Sequence, residues 1–165
     1  MWSIIKFDKK NYISFKNEFI KKLGNDTVFY RPKFNLKILN KLKFYSKEVY
    51  LLNDYIFVYS KKFKNISILE SLKFTKGLKY FLSGFNYSQI EINNFIKKCK
   101  NVEDKNGYLS NNFFELVSNN DYKFKNGPFT NQIFKIISLN KKKIKLLLGN
   151  IKTTIKQDKF LINPA

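Results

Sequence analysis

Glu103 and Asp104 are the one adjacent pair of carboxylates in the chain, and paired carboxylates are one arrangement that general acid–base work uses. They lie in "KNVEDKNGYLSNNF", residues 100–113, a stretch rich in Asn and poor in apolar residues that reads as a linker rather than a cleft. Histidine is absent, which removes the usual general base and the commonest metal ligand together. Cys99 is the only cysteine, so neither a Cys/His zinc set nor an internal disulfide can form. The six glycines are scattered and make no phosphate-cradling loop. Ser, Thr and Lys are present in number, but nothing marks a nucleophile–base pair among them. The expectation is a binding protein with no enzymatic activity, no cofactor and no metal.

The chain has 165 residues, 44% hydrophobic and 18% aromatic, enough to bury a core rather than remain disordered. Its formal net charge of +20 draws polyanions. Arg31 is the only arginine and Ala165 the only alanine, whereas Lys, Asn, Ile and Phe abound. An AT-rich genome supplies such residues without selection for a partner, so the charge is permissive and its phosphate binding should weaken with salt. The scarcity of arginine also argues against bidentate guanine readout. The apolar run in "MWSIIKFDKK" is too short for a signal peptide, and no stretch approaches the ~20 apolar residues of a membrane span. A cytoplasmic, monomeric protein with no membrane partner is expected.

Residues 53–60, "NDYIFVYS", read as a strand with Tyr55, Phe57 and Tyr59 on one face and Ile56 and Val58 on the other. A sheet with one wet face alternates apolar with polar residues, so this second aromatic face must be covered inside the domain or wait for a partner. Around it, "WSIIKF" (Trp2–Phe7) predicts a strand. Asn11 is placed to cap a helix carrying Tyr12, Phe15, Phe19 and Leu23, which Gly24 ends. "TVFYRPKFNLK" predicts one strand, Thr27–Lys37, edged or bulged at Pro32, followed by a polar lysine-rich loop. "NISILESLKFTKG" predicts a helix, "LKYFLSG" a strand, and "YSQIEINNFIKKCK" a helix behind a Ser88 cap. The order β-α-β-β-α-β-α predicts an α+β sandwich over residues 1–100, with a linker at 101–113.

Residues 114–165 have another texture: short segments broken by "NNDY", "NGPF", "SLNKKK" and "GN", the spacing of a small β-barrel. Ile144, Leu147, Leu148, Ile151 and Ile155 also recur at helical spacing, whereas Ile144, Leu146 and Leu148 alternate as in a strand.

In this order, "WSIIKF", "FYRPK", "LNDYIFV" and a short third helix resemble the N-terminal domain of NusG-type transcription elongation factors. "KNGPFTNQIFKI" and "KIKLLLGN" resemble their C-terminal KOW barrel. The short spacing from Gly127 to Gly149, "NQIFKI" and "KLLL" resemble the RfaH-like specialised paralogs more closely. The resemblance implies an elongation and antitermination factor that grips the clamp helices of RNA polymerase, bridges the DNA cleft and suppresses pausing on selected operons. It implies polymerase contacts at Leu52, Tyr55 and Phe57, and contacts to upstream or non-template DNA at Lys9 and Lys10. It also implies contacts of the KOW domain with Rho or a ribosomal protein at Phe129 and Leu148. Leu148 stands where general members carry an aromatic residue, which weakens the expectation for Rho. In the specialised paralogs the C-terminal region also refolds between a helical hairpin and a barrel. A housekeeping factor and a KOW-type RNA binder of the translation machinery are the alternative readings.

Overall fold

The computed structural model describes residues 1–40 and 43–165, and the side chains of all of these except 37–40, 43 and 44. Two compact units emerge, the first made of residues 1–32 and 50–101, the second of residues 33–49 and 102–165.

The first unit is built on a four-stranded antiparallel sheet of β1 (Trp2–Phe7), β2 (Val28–Tyr30), β5 (Tyr55–Tyr59) and β6 (Leu78–Phe81), in the order β2-β5-β1-β6. Alternation sorts its residues cleanly. Ile5, Phe7, Ile56 and Val58 point to one face, where they meet Phe15, Phe19 and Leu23 of α1 (Tyr12–Leu23) and Leu72 of α2 (Ile66–Leu72). These side chains are almost wholly removed from water, and burying each contributes about 1.5–3 kcal/mol. Phe57 and Ile4 point to the other face, which α3 (Gln89–Asn101) covers with Ile92, Phe95 and Ile96.

Local chemistry departs from expectation at the start of α1. Asn11 makes no side-chain cap bond; Asp8, three residues earlier, accepts the Lys10 amide at 3.0 Å and the Asn11 side-chain amide at 2.7 Å. A short 3₁₀ turn at Lys9–Asn11 intervenes, which moves the capping task upstream. Gly24 does end the helix, at φ +107°.

The single strand expected over Thr27–Lys37 is two. β2 stops at Tyr30, and β3 (Lys33–Asn40) begins after Pro32, which has no N–H to continue a ladder. The lysine-rich stretch expected as a loop instead supplies β4 (Lys43–Tyr50), which pairs with β3 in a two-stranded sheet; the centre of that expected loop, 41–42, lies outside the described residues. Phe34 and Leu36 of β3 are buried in the second unit, where Phe34 meets Phe113 and Phe114 at ring distances of 6.3 and 6.4 Å.

Residues 102–113 are ordered in the same unit. Asp104 accepts the amides of Asn106 and Tyr108, and the Leu109 amide donates to the Lys33 carbonyl at 2.7 Å. The remainder is an antiparallel sheet of β7 (Asp121–Phe124), β8 (Ile133–Asn140), β9 (Lys143–Leu148), β10 (Ile151–Lys156) and β11 (Ile162–Pro164), ordered β10-β9-β8-β7-β11. Its one core gathers Tyr122, Phe124, Phe134, Ile136, Ile144, Leu146 and Ile162. The strand alternation, not the helical spacing, governs this region.

The expected closed barrel is instead an open sheet, since no ladder joins β10 to β11 among the described residues. Both edges explain this. β10 reads Ile-Lys-Thr-Thr-Ile-Lys with no buried side chain, and β11 is three residues long and ends in proline.

Candidate partner-binding face

The two ends of β5 have different surroundings, and this divides its aromatic face. Phe57 is 3% exposed, with Phe95 of α3 at 5.6 Å and Tyr30 of β2 at 6.2 Å between ring centroids. It belongs to the interior of the first unit. Tyr59 is half-buried and packs edge-on against Trp2 at 5.4 Å. Leu52 is half-buried at the margin of the cluster formed by Phe57, Phe85, Ile92 and Ile96.

Tyr55 lies beyond the α3 cover. Register places Lys6 of β1 opposite both Tyr55 and Tyr80 of β6, so the three side chains form one row across three strands. The Tyr55 and Tyr80 hydroxyls are 2.9 Å apart, and the Lys6 ammonium sits 5.3 and 5.7 Å from the two ring centroids. Asp54 balances the charge, with Lys6 at 4.0 Å and Lys79 at 3.9 Å. The hydrogen bond to Tyr80 raises the Tyr55 phenol above its usual range. Tyr80 is 44% exposed and Leu82, just past β6, 38%. A row of rings anchored by one cation, beside an exposed leucine, offers a partner aromatic area together with polar handles.

Lys9 and Lys10 are exposed at the same end of the sheet, in the turn after β1. The Lys9 ammonium donates to the Asn53 side-chain carbonyl, while the Phe7 amide donates to the Asp54 carbonyl at 3.0 Å. The basic turn is thereby tied to the loop that introduces Tyr55. Arg31 has a structural place: its guanidinium lies 3.5 Å from the centre of the Tyr50 ring, near Phe7 and Tyr12, and donates to the Asn53 carbonyl at 3.1 Å.

In the second unit, Phe129 is half-buried against Phe124 at 5.7 Å and Phe160 at 6.4 Å. Leu148 is half-buried at the edge of the same core and faces Ile151 across the Gly149 turn. Tyr80 and Leu82 were missed in the sequence as members of the face. "LKYFLSG" reads as a strand, but the strand it pairs with lies some seventy residues earlier, and no local signal names it. Among the described residues no His, Cys, Asp and Glu cluster suits a metal ion, and no helix is long and apolar enough to cross a membrane.

No protein-family model matches the chain, and no curated protein matches it. Among solved structures, an MjSpt4:Spt5 complex aligns with 100% of this chain and 98% of its own, at 15% identity and a TM-score of 0.34. A Thermotoga maritima NusG structure, concerned with domain interaction, aligns with 99% of this chain and 96% of its own, at 13% identity and a TM-score of 0.34. Overlap at that level leaves function to be argued from the chain's own residues.

Proposed function

We propose that the protein is a transcription elongation factor of the NusG type that docks on RNA polymerase through the open end of the β5 face. The observation that carries this reading is the incomplete cover of that face: α3 packs over Phe57, while Tyr55 is half-buried and Tyr80 and Leu82 are exposed. In this reading Tyr55 and Leu52 are the contact residues, and Phe57 acts from beneath as the packed floor that holds their strand. Tyrosine is among the residue types that concentrate interface energy. The clamp helices of the polymerase are the proposed partner. Lys9 and Lys10, exposed at the same end, would meet the DNA backbone beside it, a contact that salt weakens. The finer assignment, a specialised antitermination factor of the RfaH kind, rests on Leu148 where general members place an aromatic residue.

Capture of core RNA polymerase by the immobilised full-length protein tests the reading. Tyr55→Ala/Tyr80→Ala should weaken capture about tenfold or more while the thermal unfolding profile remains that of a folded protein. Undiminished capture by the double variant would remove this face from the mechanism.

A further inference from the structure

A cleft of about 450 Å³ opens in the second unit, lined by Asn35, Asn111, Asn126, Asp158, Lys159 and Phe160 among others. Its size lies in the range of small-molecule sites. Asn126 is only 5% exposed, and its Oδ1 accepts the Leu161 amide at 2.7 Å. That bond fixes the side-chain amide, and its Nδ2 remains as the donor available at the cleft wall. Asn111 has the opposite polarity: its Nδ2 donates to the Asp158 carbonyl at 3.3 Å, which leaves Oδ1 as an acceptor.

Phe160 contributes an aromatic wall that cannot easily retreat. Phe124 lies 5.3 Å from it, and the Gly127 backbone passes so close that a Cβ there would fall 2.9 Å from Phe160 Cε1. Lys159 is exposed beside it. An oriented amide donor, an acceptor, a rigid ring and a neighbouring cation are what an unpaired base on a phosphate chain requires. The edge of the base compensates the buried amide, the ring gives stacking area, and the ammonium meets the phosphate.

We propose that this cleft binds one unpaired nucleobase of a single-stranded nucleic acid, with its edge on Asn126 and Asn111 and its phosphate on Lys159. The site goes beyond the polymerase contact and stands without it, since all of its residues belong to the second unit.

Electrostatic attraction alone would bind any strand to so basic a protein, so the test isolates the base. Fluorescence anisotropy compares a labelled short uridylate oligomer with an abasic strand of equal length, at one ionic strength, on the full-length protein. The wild type should prefer the uridylate strand about tenfold. Asn35→Met, which fills the cleft from an exposed position without adding a ring, should bring that ratio close to one and leave abasic binding unchanged. Asn126→Asp retains the acceptor for Leu161 but removes the donor, and should also bring the ratio close to one while its added charge weakens both strands; if it fails to fold, Asn35→Met decides. Equal binding of both strands by the wild type, or a preference that survives Asn35→Met, overturns the proposal. Polymerase capture by Asn35→Met should equal wild type, so failure here is distinguishable from failure of the docking face.

Discussion

Phe57→Ala separates a ring that holds the sheet from a ring that meets a partner. The side chain is 3% exposed, and Phe95 and Tyr30 pack against it at 5.6 and 6.2 Å. Truncation therefore opens a cavity beneath α3, at a cost of about 3–5 kcal/mol. Domains have total stabilities of about 5–15 kcal/mol, so the loss is a large share of what the first unit has. Trp2, the only tryptophan, packs on Tyr59 within the same sheet, so its fluorescence reports this unit's unfolding. With a urea dependence of about 1.5 kcal/mol per molar, the midpoint should fall by about 2–3 M. A shift below about 0.5 M, together with lost polymerase capture, would refute the reasoning. Phe57 would then be a contact residue, and the account of α3 as its cover would fail.

Three further outcomes follow from local geometry. Ser3 is fully buried and its hydroxyl has no partner among the described residues, so Ser3→Ala should raise stability by about 1 kcal/mol in the same urea titration. Gly127 sits at φ +81° against Phe160, so Gly127→Ala should lower the stability of the second unit by about 1–3 kcal/mol, read from the loss of sheet circular dichroism on heating. The Asp8 carboxylate is held below its ordinary value of 3.8, chiefly by the Lys10 amide and then by Asn11. Its folded-state pKa is depressed, so its contribution is present above 3.8 and lost as pH falls through the lower folded value. The Lys10 amide resonance should titrate with a midpoint below 3.8, and Asp8→Asn should abolish that titration.

Periodicity carried the first unit's framework because its core is dense and local. Phe15, Phe19 and Leu23 on α1 and Ile92, Ile96 and Cys99 on α3 repeat at helical spacing, and each is buried. The β3–β4 hairpin was illegible for the opposite reason. After Phe34 and Leu36 its sequence sets lysines among Ile38, Leu39, Leu42, Phe44 and Val49 with no clean alternation, and the rings that pack on Phe34, Phe113 and Phe114, lie some eighty residues on. Asn11 misled because the capping rule sees one residue, whereas the 3₁₀ turn let Asp8 serve it from three residues upstream. At the candidate face, alternation showed that Tyr55 and Phe57 share a side. It could not show that a helix thirty residues later would end its cover between them, since that depends on where Phe95 and Ile92 dock.

The hairpin of β3 and β4 also governs how the protein can be divided. The chain passes from the first unit to the second at residue 33, returns at residue 50, and crosses again after residue 101. A fragment ending at residue 101 would keep Phe34 and Leu36 but lose Phe113 and Phe114, leaving an orphaned greasy flap on an otherwise complete sheet. A clean halving of the gene therefore needs the hairpin replaced by a short bridge between Pro32 and Tyr50. A single protease nick near residue 101 would cut the chain in two, with the hairpin covalently part of the first piece and held to the second only by packing such as that of Phe34 on Phe113 and Phe114.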